Sequence, residues 1–400
     1  MREHNVLLKG AAMAVLPVIK NAFLLVEDGF IAAYGHMEEL EITIPNLPAV
    51  VEDVAGQMIL PTWCDSHTHL VFAKSREDEF VDKIKGKSYA EIAATGGGIL
   101  NSARVLNETS EEELFQLAHN RLHEVAKMGT GAIEIKSGYG LTVESELKML
   151  RVIKRLKQES SLAIKATFLA AHAYPLVYKD NHQGYIDTIV QEMLPVIAAE
   201  KLADYIDVFC EEGFFSVPEM ELIVKAGASF GLKPKLHVNQ LHSIGGIAAG
   251  INLNALTLDH LETMTDDDVS MLAASNSIGT LLPTAAFFLR MAYQPARKMI
   301  DAGAAIAIAS DYNPGSSPAA NMNFVVALSC IQMKMLPEEA INAATINAAF
   351  AMELQNELGS ITVGKKASLI FTRPMPSIAY LPYSFSHNLV DKVMLQGRFI

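Results

Sequence analysis

Two histidines one residue apart, His67 and His69, are the first residues of this 400-residue chain that could do chemistry together. On an extended segment, residues i and i+2 point to the same side, so both imidazoles could grip one ion. An H-x-H pair alone is a weak signal, because surface histidine pairs arise freely. Placement strengthens it: the pair follows a short apolar run, and so do His172, His237, His260 and Asp311. Each of these histidines taken singly reads better as a satisfied polar group at a strand end; five in register on one rim outweigh that reading. Imidazoles with a carboxylate suit Zn²⁺ or iron, whereas Mg²⁺ favours an all-oxygen shell. The remaining histidines, at positions 4, 36, 119, 123, 182, 242 and 387, lack such placement and read as ordinary helix or loop residues. Glu211 and Glu212 end another run and read as rim hydrogen-bonding groups, and Lys136 as the partner of a rim carboxylate. Cys64, Cys210 and Cys330 lie far apart with no CxxC spacing, which argues against a disulfide framework and a thiolate zinc site and favours a reducing cytoplasm.

The elements that must position these groups are legible as repeated βα units. The runs are Met58 to Asp65, Gly131 to Lys136, Ala163 to Ala171, Tyr205 to Cys210, Lys233 to Leu236, Ala255 to Leu258, Ser277 to Leu282 and Ala304 to Ala309. Eight parallel strands close a TIM-like (β/α)8 barrel, whose sites lie at the C-terminal rim. Helix starts are marked by Ser216 with Glu219, by Thr265 with Asp268, and by Pro337. A long insertion, Leu70 to Gly129, carries Gly96-Gly97-Gly98 and suits a loop over the barrel mouth; without a GK[ST] sequel it is no phosphate loop. Residues 1–57 and 358–400 break the rhythm with strand-like pieces such as Phe23 to Val26 and Ser368 to Thr372, and are expected to meet in one small β-sandwich domain beside a barrel of residues 58–357.

Composition narrows the function classes. With 32 Lys plus Arg against 45 Asp plus Glu, the net charge of -13 disfavours nucleic acid or an anionic membrane as partner. No apolar run reaches the ~18 residues of a membrane helix, and the piece before Lys9 is too short for an export signal. A cytoplasmic protein acting on a small molecule is the expectation.

Several stretches together resemble the imidazolonepropionase family of the amidohydrolase superfamily, over nearly the whole chain. They are Asp65-Ser66-His67-Thr68-His69-Leu70 with Arg76 and Phe80, Gly96 to Ile99, Ile133 to Leu141 with its Ser-Gly-Tyr-Gly core, Ala171-His172-Ala173, Asp207 to Glu211, Asp259-His260-Leu261-Glu262, and Ser310 to Ser316 with its Asp-x-Asn-Pro-Gly core. The resemblance implies hydrolysis of the ring amide of 4-imidazolone-5-propanoate to N-formimidoyl-L-glutamate, in histidine degradation. It implies one Zn²⁺ or iron ion per subunit, held by His67, His69, His237 and Asp311, and a homodimer. It assigns Arg76 to the substrate carboxylate, with Tyr89 as a weaker candidate for the same end. Tyr139, His172 and Gln240 would contact the ring, and Asn313, Gly315 and Ser316 would close around substrate or product. Gln240 stands where some relatives carry Glu, and an amide cannot take a proton. Base duty therefore falls on Asp311 or His260, with His260 favoured, while His172 would help polarise the ring carbonyl. The alternatives are a metal-dependent deaminase or another cyclic amidohydrolase of the superfamily and, from a different class, a non-catalytic metal- or ligand-binding barrel.

Overall fold

The computed structural model describes residues 5–87 and 97–400. In chain order the strands are β1 (Ala22–Glu27), β2 (Phe30–His36), β3 (Ile59–Pro61), β4 (Trp63–Asp65), β5 (Thr130–Lys136), β6 (Ala163–Ala171), β7 (Tyr205–Cys210), β8 (Lys233–Val238), β9 (Thr257–His260), β10 (Ile278–Leu281), β11 (Ile306–Ile308), β12 (Leu369–Thr372), β13 (Val390–Leu395) and β14 (Arg398–Phe399). Strands β4 to β11 form one eight-stranded sheet in sequential order, with parallel neighbours throughout. Its first and last strands meet just beyond their ends. Asp311 N donates to His67 O at 3.0 Å and His69 N donates to Tyr312 O at 2.8 Å. Ser310 donates through N and Oγ to the two carboxylate oxygens of Asp65, at 2.9 and 2.5 Å. The barrel expected from eight apolar runs is thus latched at its C-terminal rim, beside the H-x-H pair.

Most runs became strands within a residue or two of their expected bounds, with two informative differences. Met58 to Asp65, expected as one strand, is two. Pro61 has no N–H to give to a ladder, and the next two residues turn to different sheets: Thr62 N bonds Ser368 O at 3.1 Å, Trp63 N bonds Gly129 O at 2.9 Å. Strands β8 and β9 also run further than their apolar stretches, so His237 and His260 sit on strands instead of in the loops after them. Ladder hydrogen bonds therefore hold both residues.

Helices separate the barrel strands. Ser216 with Glu219 and Thr265 with Asp268 close capping boxes at the starts of helices Val217–Ser229 and Asp266–Ala274, and Pro337 opens Pro337–Ala344. The insertion between β4 and β5 contributes helices Glu77–Ile84, Ile99–Glu108 and Glu111–Lys127. Gly96 of its glycine run lies outside the described residues.

The two ends of the chain meet in antiparallel sheet. Strands β14, β13, β12 and β3 form a four-stranded sheet and β1 with β2 a two-stranded one. The two are tied by Ile31 N to Lys365 O and by Ala367 N to Gly29 O, both 2.8 Å, and by a shared apolar cluster that includes Ile31, Leu369, Phe371 and Met394. Two hairpin turns cross here at backbone contact: a Cβ on Gly397, whose φ is +80, would lie 2.7 Å from Gly29 Cα. Only glycine tolerates both the conformation and the approach. Gly397→Ala is expected to cost about 1–3 kcal/mol, read as a lower urea midpoint; an unchanged midpoint would show that the two turns do not need this closeness.

Candidate active site

The rim residues converge. His67 and His69 follow β4, His237 is on β8, His260 ends β9 and Asp311 follows β11; all five are buried, with relative exposures of 0 to 2%. The ring centroid of His67 lies 4.5 Å from that of His237, 5.5 Å from that of His69 and 5.6 Å from that of His260. Among the described residues two groups of three could share one ion, His67 with His69 and His237, and His67 with His260 and Asp311; within each, the donor atoms lie within 4.8 Å of one another. Asp311 Oδ1 is 3.6 Å from His67 Nε2 and 3.7 Å from His69 Nε2. Those separations are too long for hydrogen bonds and close to the roughly 3.4 Å between two ligands on one tetrahedral ion.

Buried carboxylates orient the rings. Asp259 Oδ2 accepts from His67 Nδ1 at 2.7 Å, and Asp207 Oδ2 from His237 Nδ1 at 2.7 Å. Each histidine therefore carries its proton on Nδ1 and turns the Nε2 lone pair towards the cluster, the arrangement found behind most metal-bound imidazoles. His67 Nε2 is buried without a hydrogen-bond partner. Burial, reinforced by the neighbouring imidazoles and the charge of Lys136, pushes His67, His69 and His237 well below the ordinary histidine range, which favours neutral rings. Burial also raises the Asp311 carboxyl to about 7, although nearby His260 opposes the shift; a cation facing it would relieve that penalty. The donor set fits a metal ion.

Behind the carboxylates stands Lys136, fully buried on β5. Its Nζ donates to Asp207 Oδ2 at 2.9 Å and Glu134 Oε1 at 2.7 Å, and lies 3.6 Å from Asp259 Oδ2. Burial works to lower its pKa, but the three carboxylates outweigh this and hold the ammonium charged. Lys235 pairs with the other oxygen of Glu134 at 2.5 Å and donates to the carbonyls of Ser66 and Ala351. The expected pairing of Lys136 with a carboxylate is present, but its partners orient two ring nitrogens.

The loops after the strands bring in the other sequence candidates. Tyr139 sits in a turn whose N–H groups at Gly138, Gly140 and Leu141 all donate to the buried Glu146 carboxylate, at 3.0, 2.7 and 3.0 Å. Gly140 has no room for a Cβ, which would meet Glu146 N at 2.5 Å. His172 stacks on His69, with centroids 5.2 Å apart, and its Nδ1 donates to Gly138 O at 3.1 Å. After β11, Asn313 Oδ1 accepts from the N–H groups of Gly315 and Ser316, both 2.8 Å, while Ser316 Oγ reaches Asp311 Oδ2 at 3.3 Å. Arg76 lies against this turn: a Cβ on Gly315 would stand 2.3 Å from its Nη1. Its Nε and Nη2 donate to Glu79 Oε2 at 2.9 and 2.6 Å.

Gln240 is half-buried two residues past β8. The loop it belongs to is held by Glu211, whose Oε2 accepts from Leu241 N at 2.8 Å and His242 N at 3.2 Å. Tyr89 lies outside the described residues. A separate cavity of about 330 Å³, lined by Lys165, Lys201, Asp204, Lys233 and Glu353 among others, is at the N-terminal ends of β6 to β8, away from the histidines.

Reading by strand ends missed the orienting groups Asp207, Asp259, Glu134 and Lys235, together with Glu146, Glu262 and Gln294. A usable signal exists for some: charged residues inside apolar strand runs, as in Ile133-Glu134-Ile135-Lys136 and Lys233-Pro234-Lys235-Leu236-His237, have to find partners in the barrel interior.

The chain is similar to known proteins along nearly its whole length. The amidohydrolase family profile matches residues 58–400. An imidazolonepropionase of Flavobacterium johnsoniae is 58% identical over 395 residues, covering 98% of this chain and 94% of that protein. One from Flavobacterium psychrophilum is 54% identical over 402 residues, covering 100% and 96%. The fold is shared with a solved 5-methylcytosine deaminase from Klebsiella pneumoniae, with a TM-score of 0.74 over 94% of this chain and 93% of that one, at 14% identity. Identity above one half along essentially the full length makes this chain a member of the imidazolonepropionase family of metal-dependent amidohydrolases, hydrolases of a carbon–nitrogen bond in a cyclic amide.

Proposed function

We propose that the cluster hydrolyses 4-imidazolone-5-propanoate to N-formimidoyl-L-glutamate with one zinc or iron ion per subunit held by His67, His69, His237 and Asp311. The observation that carries this reading is the inward-facing, unpartnered Nε2 of the buried His67, oriented from behind by Asp259. When bound, such an ion polarises a carbonyl oxygen and lowers the pKa of a coordinated water from 15.7 towards about 7.

The protein's own residues then do the rest. His260 accepts a proton from the attacking water and returns it to the departing ring nitrogen, so the ring C–N bond breaks to leave a carboxylate and a formimidoyl nitrogen. Asp311 is the second acceptor within reach, with its other oxygen engaged by Ser316. Arg76, pre-oriented by Glu79, offers its Nη1 edge to the propanoate carboxylate, and Gly315 leaves room for that contact. Tyr139, His172 and Gln240 line the ring, and Asn313, Gly315 and Ser316 form the wall beside it; Tyr89 is the weaker candidate for binding the carboxylate.

The role of His172 changes on physical grounds. A carbonyl oxygen only accepts, so the bond to Gly138 O puts the proton on Nδ1 and leaves Nε2 as an acceptor. That suits a ring N–H of the substrate. Polarising the ring carbonyl would need a second proton, which burial opposes by holding this ring down to about 4.

The wider setting we infer is a cytoplasmic homodimer whose subunits combine a barrel of residues 58–357 with a small β unit of residues 1–57 and 358–400. Three well-separated free cysteines agree with a reducing compartment, and among the described residues no helix is long and apolar enough to cross a membrane.

Purified protein given 4-imidazolone-5-propanoate should form formimidoylglutamate and stop doing so in a chelator; release of ammonia from a ring amine instead would favour the deaminase reading. Asp311→Ala should abolish turnover and lower bound metal, whereas Arg76→Ala should chiefly raise KM, and full activity in either variant removes that assignment. Asp259→Ala should weaken metal affinity about 10- to 100-fold by freeing the His67 ring, measured by competition with a chromophoric chelator; unchanged affinity would deny Asp259 its orienting role.

A further inference from the structure

The chain leaves β9 through an unusual turn. His260 and Leu261 are consecutive non-glycine residues in the left-handed region, with φ of 85 and 67. Such conformations persist only where the surroundings over-determine them. Here the turn is stapled to the loop after β8: Thr263 donates to Asn239 O through N at 2.9 Å and through Oγ1 at 2.8 Å, and Asn239 Nδ2 donates to Thr263 O at 2.8 Å.

The result is that Glu262, two residues on from His260, folds back beside its ring. Glu262 Oε1 lies 3.5 Å from His260 Nδ1 and accepts from Gln294 Nε2 at 2.9 Å. The side chains of His260 and Glu262 are 3% and 1% exposed. Glu262 Oε2 is buried with no hydrogen-bond partner, and so is Gln294 Oε1. A buried carboxylate held with one oxygen unmatched is a poor way to stabilise a fold, and its neighbour His260 is a ring that the orienting pair Asp207 and Asp259, bonded to His237 and His67, does not reach with a hydrogen bond. The donor atoms of His260, His67 and Asp311 lie within 4.8 Å of one another, so the nitrogen not turned to Glu262 is the one that faces the reaction.

We propose that Glu262 is the positioning residue for His260: held by Gln294 and delivered by the strained turn, it keeps the proton on Nδ1 and presents the Nε2 lone pair to the attacking water. A base oriented by a carboxylate on its far nitrogen is a general solution in acid–base catalysis, and the 3.5 Å separation is of the kind that shortens when substrate closes the site. The inference rests on His260 being the base, and the test separates the two.

The variants are Glu262→Gln, which keeps the volume and the acceptor for Gln294, Glu262→Ala, His260→Ala and the double variant His260→Ala with Glu262→Gln. For each, kcat, KM, bound metal and Tm are measured, and zinc-loaded protein labelled with ¹⁵N-histidine reports the His260 tautomer. The expected result is a kcat lower by about 10- to 100-fold in Glu262→Gln, with KM, metal content and Tm near the wild type and no further loss on the His260→Ala background. The Nδ1–H tautomer of His260, dominant in the wild type, should give way to a mixture in Glu262→Ala. If His260→Ala loses activity while Glu262→Gln keeps its kcat, the positioning role is overturned and the base assignment stands. If His260→Ala itself keeps full kcat, both fall.

Discussion

An ammonium group, that of Lys136, sits at the centre of the barrel among Glu134, Asp207 and Asp259, all without access to solvent. In a low-dielectric interior each of these charges would be ruinous alone, and removing one partner of such a pair typically costs about 3–5 kcal/mol. Lys136, with Lys235 on the other oxygen of Glu134, offsets part of the negative charge, and the Oδ2 atoms of Asp207 and Asp259 that face the ammonium also accept from a histidine Nδ1. Burial raises both carboxyls and the positive charge of Lys136 opposes that rise, the carboxylates keep the protons of His67 and His237 on Nδ1, and the Nε2 lone pairs are thereby committed to the cluster. Every other feature of the site presupposes this arrangement.

Around that centre, buried carboxylates also hold the loops. Glu146 gathers three N–H groups of the turn bearing Tyr139, Glu211 holds the loop bearing Gln240, and Asp268 is a shared acceptor for Thr265 and for Ser243. Backbone donors that would otherwise be satisfied by water are satisfied inside the protein, so these loops are held in place before any ligand arrives. Rigidity of this kind means that orientation is settled during folding and does not have to be settled again at each turnover.

The same rim concentrates backbone strain. Leu141, Asn239, His260, Leu261 and Asp311 all have positive φ, and each lies at the end of a barrel strand or in the turn after it. Conformations of this sort cost about 1–3 kcal/mol each. The packing of a barrel whose strands and helices share a large apolar cluster, from Leu8 to Leu395, is large enough to sustain them. Stability from the core is spent where side chains must be aimed.

How much of this was legible in the sequence follows from the range of the interactions. Periodicity and strand-end placement are local properties, so eight apolar runs, two capping boxes and the register of His67, His69, His172, His237, His260 and Asp311 could be read directly from the residue order. Which carboxylate faces which imidazole is not local: Asp259 meets His67 across 192 residues and Asp207 meets His237 across 30. Three acidic residues, Glu77, Asp78 and Glu79, follow Arg76 in the sequence, and the fold pairs it with Glu79, three residues on. The split of one apolar run at Thr62 depended on a competing sheet supplied by the far end of the chain. Residue types and their spacing determined the chemistry that could be assembled, because strand and helix periods are set by the backbone itself. The pairing of charges waited for closure of the barrel, because only then does water leave and each buried charge have to find its partner.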